Sequence, residues 1–480
     1  MHPGSSIGPR VLQKMILYKS ANAMKKAIYE KLIRMKEHNL SQSMKTAEGV
    51  SVERYRSLVR VDECGINIWS DAFQQAINEN DHIIIPASKE PYYVDKTITV
   101  PSNKYIEAHC DALIRLKAGV KTLLLRNENN EDGTHKAETF DAPDTNIHIS
   151  GGRWEEMLDK RAGYGQSGMY DAERSYYGVS TCMFFNNVKN LTLENLVFIH
   201  TGGFGIQLGN VKNVVIENIE FKQCFADGIH INGNTEKIYI YNIKGQVGDD
   251  LVAFNMYDWQ NSSVDFGPIK MAWCEKLELY PESGYKAFRI QPGLYYYDDG
   301  SVVDCSLDDA VIKDVKGINT FKLYFQTPCY DVEEGREPGD TGTGNNIFFE
   351  DITIDLTGPI DPLRDYTQSD PVTGSFAGFE VGANIQNLYF ENITVTLYRE
   401  KYPMSFFLCV GPKSVRDGKL EIFDPEINSF VENVYLKNVH INSEDTENSK
   451  NYIHQIVFDD IYNDGTATGK GVIKNIIVQK

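Results

Sequence analysis

NVKNVVIENIEFKQCFADGIHINGNTEKIYIYNIKGQVGDDLVAFN, residues 210–255, repeats itself and sets acidic residues at matching positions of the repeat. One copy begins NVKNLTLENLVF at Asn187, the next NVKNVVIENIEF at Asn210, and a third NTEKIYIYNIKG at Asn234. The starts lie 23 and 24 residues apart, and Asn195, Asn218 and Asn242 share one slot. A period of this length belongs to a solenoid whose units bury their apolar faces only by stacking. Leu191/Leu193, Val215/Ile219 and Ile238/Ile240 sit in short alternating runs, so the unit is built of strands. The recurring Asn suits an interior corner with an amide ladder between turns. The chain is therefore expected to be all-β, a parallel β-helix.

In that frame Asp227 and Asp250, 23 residues apart, stand one coil from each other, with Asp249 beside them. Adjacent strands lie ~4.8 Å apart, so the carboxylates become neighbours. Phe204 holds the matching slot of the preceding coil, so acids are no general feature of the repeat. Ile229/Ile231 and Val252/Phe254 alternate as an inward face, which turns His230, Asn232, Ala253 and Asn255 toward solvent. Crowded carboxylates cannot all ionise comfortably, so one is expected to stay protonated near neutrality. An acid for the leaving oxygen and a base for water is what glycosidic cleavage needs.

The 480 residues are 41% apolar and 24% charged, as in an ordinary enzyme with a large core. A net charge of −19 argues against a nucleic-acid partner, which is gripped by Lys and Arg. No apolar run is long enough for a transmembrane helix, so no membrane partner is expected. The amino terminus lacks a signal-peptide pattern. Eight cysteines without CxxC spacing read as buried free thiols, and a cytoplasmic location follows as the expectation.

Residues 1–60 differ from the rest. Met24, Ile28, Leu32 and Met35 fall at helical spacing beside a basic face, which predicts a helix packed on the solenoid's end or used for homo-oligomerisation. From Val61 onward a helix over 70–78 and strands at 83–86, 92–94 and 98–100 open a single β-helix domain running to residue 480. Its long inserts, 154–180, 255–275 and 327–345, are expected to close off a pocket that cuts from chain ends.

From Val61 the chain resembles the pectin-lyase-like superfamily of right-handed parallel β-helices, in which a helix caps the first coil. At the acidic coils it resembles the family 28 glycoside hydrolases, the polygalacturonase family. That family carries Asn-Thr-Asp, then Asp-Asp one coil later, then Gly-His-Gly and Arg-Ile-Lys. Here the positions read Phe225-Ala226-Asp227, Asp249-Asp250 and Arg289-Ile290-Gln291, and Gly-His-Gly is missing. The resemblance implies single-displacement inversion, with Asp249 as general acid and Asp227 with Asp250 holding the water. Carboxylates one strand spacing apart would suggest retention on the usual separation scale; the resemblance implies inversion. Gln291 cannot supply the charge of the family's Lys, so a neutral sugar stands beside a galacturonide as substrate. His230, or a residue of the 255–275 insert, stands in for the missing His.

Substrate contacts are expected from His230, Asn255, Arg289, Gln291, Tyr257 and Trp259, the last two as sugar-stacking aromatics on the insert. No phosphate-binding loop, dinucleotide motif or His/Cys metal spacing occurs, so neither cofactor nor metal is called for. Two rivals share the fold expectation: a Ca²⁺-dependent polysaccharide lyase using the same acids, and a carbohydrate-binding β-helix without catalysis.

Overall fold

A computed structural model describes residues 9–43, 48–120, 122–129, 142–157, 181–258, 264–283, 286–296, 299–318, 321–324, 342–356, 376–397, 399–400, 405–411, 414–416, 419–421, 428–442, 446–455 and 470–479. Ile147, Leu191, Val214, Ile238, Ala272, Ala310, Ile347, Leu388, Val434 and Ile476 form one unbroken parallel rung, each paired with the next. A second rung runs Met183, Ile206, Ile229, Val252 and Phe288. The chain is thus a right-handed parallel β-helix, and the coil spacing read from the repeat is the register of the strands. The ladder already includes Val50–Ser51, paired with Ile83–Ile84.

Inside the coil, Leu191, Leu193, Val214, Ile216, Ile238 and Ile240 are all buried in one continuous core. The asparagine ladder exists: Asn218 donates to Asn195 (3.1 Å) and Asn242 to Asn218 (2.7 Å). Its place corrects the expectation of an interior corner, since Asn195 and Asn218 are exposed. Each of the three has a left-handed backbone, φ 53–59°, a conformation Asn tolerates better than other side-chain-bearing residues. The corner turns the chain and leaves the interior to aliphatic groups. Asp351, Asn392 and Asn438 continue the ladder.

Helix α2, Ser70–Glu79, buries Ala72, Phe73, Ala76 and Ile77 in the core beside the first coils. Helix α1, Pro9–Ser43, does not cap an end. It lies along the flank, with Ile28, Leu32 and Met35 packed on Val215, Tyr239, Trp273, Val311 and Phe348, one outward residue from each of five consecutive coils. Asn39 donates to the Asn213 carbonyl (2.9 Å) near one end. Farther along, Lys25 donates to Glu350 (2.6 Å) and Glu391 (2.7 Å). Fourteen helical residues rise about 21 Å, or roughly four strand spacings of ~4.8 Å, so the helix follows the solenoid axis. All seven described cysteines are free. Cys64 and Cys110 are exposed, against the expectation that every thiol is buried.

Leu32 fills the middle of the α1 contact and is fully buried. Leu32→Ala is expected to cost about 2–5 kcal/mol, seen as lost hydrogen-exchange protection across residues 20–43 with the coil core unchanged. Exposed Lys31→Ala should stay within about 0.5 kcal/mol of wild type.

Candidate active site

The acids sit on two stacked turns, each linking a strand end to the start of the next strand. Turn 225–228 joins Phe204–Cys224 to Ile229–Asn232, and turn 248–249 joins Thr235–Val247 to Asp250–Asn255. The turns are tied coil to coil: Gly248 N donates to Cys224 O (2.8 Å), Asp249 N to Ala226 O (3.2 Å) and Gly228 N to Asp250 O (2.9 Å). A Cβ on Gly248 would stand 2.4 Å from the Phe225 carbonyl oxygen, so only glycine lets these backbones approach so closely. The result is the expected cluster, with carboxylate oxygens of Asp227, Asp249 and Asp250 within 4.8 Å of one another. Asp227 is 2%, Asp249 8% and Asp250 0% exposed.

Asp227 is held at both oxygens. Oδ1 accepts the Asp250 N–H (3.0 Å), and Oδ2 faces His230 Nδ1 at 2.6 Å. The other ring nitrogen, Nε2, faces Asp258 Oδ2 at 3.1 Å, and the Phe204 ring stacks on the imidazole with centroids 3.9 Å apart. Burial alone would lower the His230 pKa. Hydrogen bonds to Asp227 and Asp258 outweigh it and push the value up to about 9. Arg289 Nη1 lies 3.7 Å from Asp250 Oδ2, and its Nη2 donates to Gln291 Oε1. The three carboxylates are close enough for a hard divalent cation, yet they already stand beside two cationic side chains.

The alternation of strands 229–232 and 250–255 is as expected, with Ile229, Ile231, Val252 and Phe254 in the core. Their outward neighbours depart from expectation: His230, Asn232, Ala253 and Asn255 are buried rather than solvent-facing. The following insert folds back over them. Val264 N donates to Asn232 Oδ1 (3.2 Å), and Asn255 Nδ2 donates to Asp258 Oδ2 (3.3 Å). His230 therefore backs Asp227, Asn255 meets Asp258 and the His230 ring, and Gln291, fully buried, orients Arg289.

Tyr257 is corrected as well. At 3% exposure it packs in the main core near Phe266 (ring centroids 5.7 Å) instead of offering a sugar platform. Trp259 lies outside the described residues, as do residues 158–180 and most of the 327–345 insert; of the third insert, 255–275, residues 269–275 belong to the coil strand Ile269–Leu279 and are no lid. Sequence reasoning did not single out Asp258; its signal is an acid three residues past Asn255, in the insert expected to replace the missing histidine. The register also sets Lys286 one coil beyond Asp250 and Lys322 one coil beyond Arg289.

No protein-family model matches the chain, and no curated protein matches it in sequence. Among solved structures it is similar to a hyperthermoactive exopolygalacturonase of Thermotoga maritima, at 12% identity over 93% of this chain and 96% of that one, TM-score 0.49. A family 28 exopolygalacturonase of Yersinia enterocolitica overlaps at 15% identity, 82% and 71% coverage and TM-score 0.43. Gene product 12 of bacteriophage phi29 overlaps at 13% identity, 82% and 52% coverage and TM-score 0.48. These likenesses are of fold; the roles of residues rest on the geometry of the stacked turns.

Proposed function

We propose that the protein is an inverting glycoside hydrolase acting on a plant-type oligo- or polysaccharide, a galacturonide or a neutral sugar, from chain ends. The observation that carries this reading is the trio Asp227, Asp249 and Asp250, its oxygens within 4.8 Å on stacked turns. Asp249 is the most exposed of the three and is suited to protonate the leaving oxygen. Asp227 and Asp250 are recessed, and Asp227 is tied back by His230 and the Asp250 N–H. Their oxygen spacing alone would fit the shorter separation of retaining enzymes. A retaining nucleophile, however, must reach the anomeric carbon, and carboxylates sunk this far are better suited to holding a water. Arg289 beside Asp250 favours the ionised form of that carboxylate. With the positive charges of Arg289 and His230 in place, proton transfer is favoured over the Ca²⁺ chemistry of a lyase.

Asp249→Asn is expected to lower the release of reducing ends about 10²–10⁴-fold, with a melting temperature near that of wild type. Surviving hydrolysis would place the acid elsewhere. Proton NMR of the first product should show the inverted anomer, and chelator should leave the rate unchanged. An unsaturated, ultraviolet-absorbing product stopped by chelator would instead mark a lyase, and sugar binding without cleavage a binding protein.

Arg289→Lys keeps the charge and loses the planar fork, so KM should rise. Arg289→Ala should raise KM too. Unchanged kinetics in Arg289→Ala would remove this residue from the site.

A further inference from the structure

A neutral imidazole has one donor nitrogen and one acceptor nitrogen. His230 presents both nitrogens to carboxylate oxygens, Asp227 at 2.6 Å and Asp258 at 3.1 Å, and all three side chains are buried. With a neutral ring, one lone pair would point at a carboxylate in a site that water does not reach. The imidazolium satisfies both carboxylates, and the stacked face of Phe204 favours a cation further.

Two amide nitrogens also face the ring, each farther from its ring nitrogen than the carboxylate there, and each also donates elsewhere. The Asn232 amide nitrogen lies 3.3 Å from Nε2 and donates to Asn255 O at 3.1 Å. The Asn255 amide nitrogen lies 3.5 Å from Nδ1 and donates to Asp258 at 3.3 Å. Gln207 and Ala253 flank His230 on the neighbouring coils. Asp249 and Asp250 stand beyond Asp227, and Arg289 lies beyond them against Asp250.

The geometry points to Asp258 as a further positioning residue of the site: through His230 it fixes the orientation of Asp227 and holds the imidazolium against it. This assignment rests on the hydrolase reading above for its chemistry, but not for its physical test. Asp258 belongs to no coil slot. It comes from the insert that follows Asn255, so the insert contributes to the charge of the site.

The test follows the ring C–H resonance that His230→Gln removes from the spectrum. In wild type it should titrate near pH 9. In Asp258→Asn it should titrate at least about one pH unit lower, because one of the two anions that favour the proton is gone. In His230→Gln, Asp227 loses the partner that orients its Oδ2, so kcat/KM should fall about tenfold or more at every pH. A purely structural role for Asp258 would lower the melting temperature and leave the His230 titration in place. A wild-type His230 that titrates below pH 7, or one whose titration does not move in Asp258→Asn, would overturn the assignment. If wild type cleaves no glycoside, the hydrolase reading fails while the titration still decides whether Asp258 holds the imidazolium.

Discussion

Adjacent parallel strands exchange hydrogen bonds only at a separation of ~4.8 Å, and this chain repeats that separation from Lys104 to Gln479. Two side chains in one slot of consecutive coils therefore cannot avoid each other, whatever their charge. Asp227 and Asp250 occupy such a slot, below Phe204. The same geometry that stacks Ile206, Ile229 and Val252 into core forces two carboxylates together at the turn. Packing thus fixes where the acids are, and their chemistry follows from what else the turns bring close.

Burying ionised groups is unfavourable unless each finds a partner. Compensation here comes from three directions. The backbone gives the Asp250 N–H to Asp227, the next coil gives Arg289 to Asp250, and the strand after the first turn gives His230 to Asp227. His230 is itself compensated a second time by Asp258. Charges of both signs alternate through the site, and Asp249 is left as the acid nearest the surface.

Periodicity made the core and the acid trio legible, because period-two alternation and a constant coil length fix both facing and neighbourhood. The burial of His230, Asn232 and Asn255 was not legible. It depends on the insert folding back through Val264 and Asp258, and contacts made by an insert carry no period. Tyr257 misled for the same reason: an aromatic on an insert suits a platform until Phe266 is found packed near it. For α1 the apolar face could be read from Ile28, Leu32 and Met35. Its docking surface could not, since Val215, Tyr239 and Trp273 occupy outward slots that are usually wet.

The flank helix also sets an order on synthesis. α1 carries eight basic and two acidic residues in a chain of net charge −19, and Lys25 pairs with residues 325 and 366 positions later. At roughly 5–20 residues per second, the ribosome delivers Glu391 about 20–70 s after Lys25. Within that interval the ladder from Val215 to Phe348 is delivered one coil at a time, so the apolar stripe of α1 gains its docking surface piecemeal. A nascent chain stopped short of residue 350 therefore has a basic amphipathic helix that can pair with Glu217 through Lys36 but has neither acidic partner of Lys25.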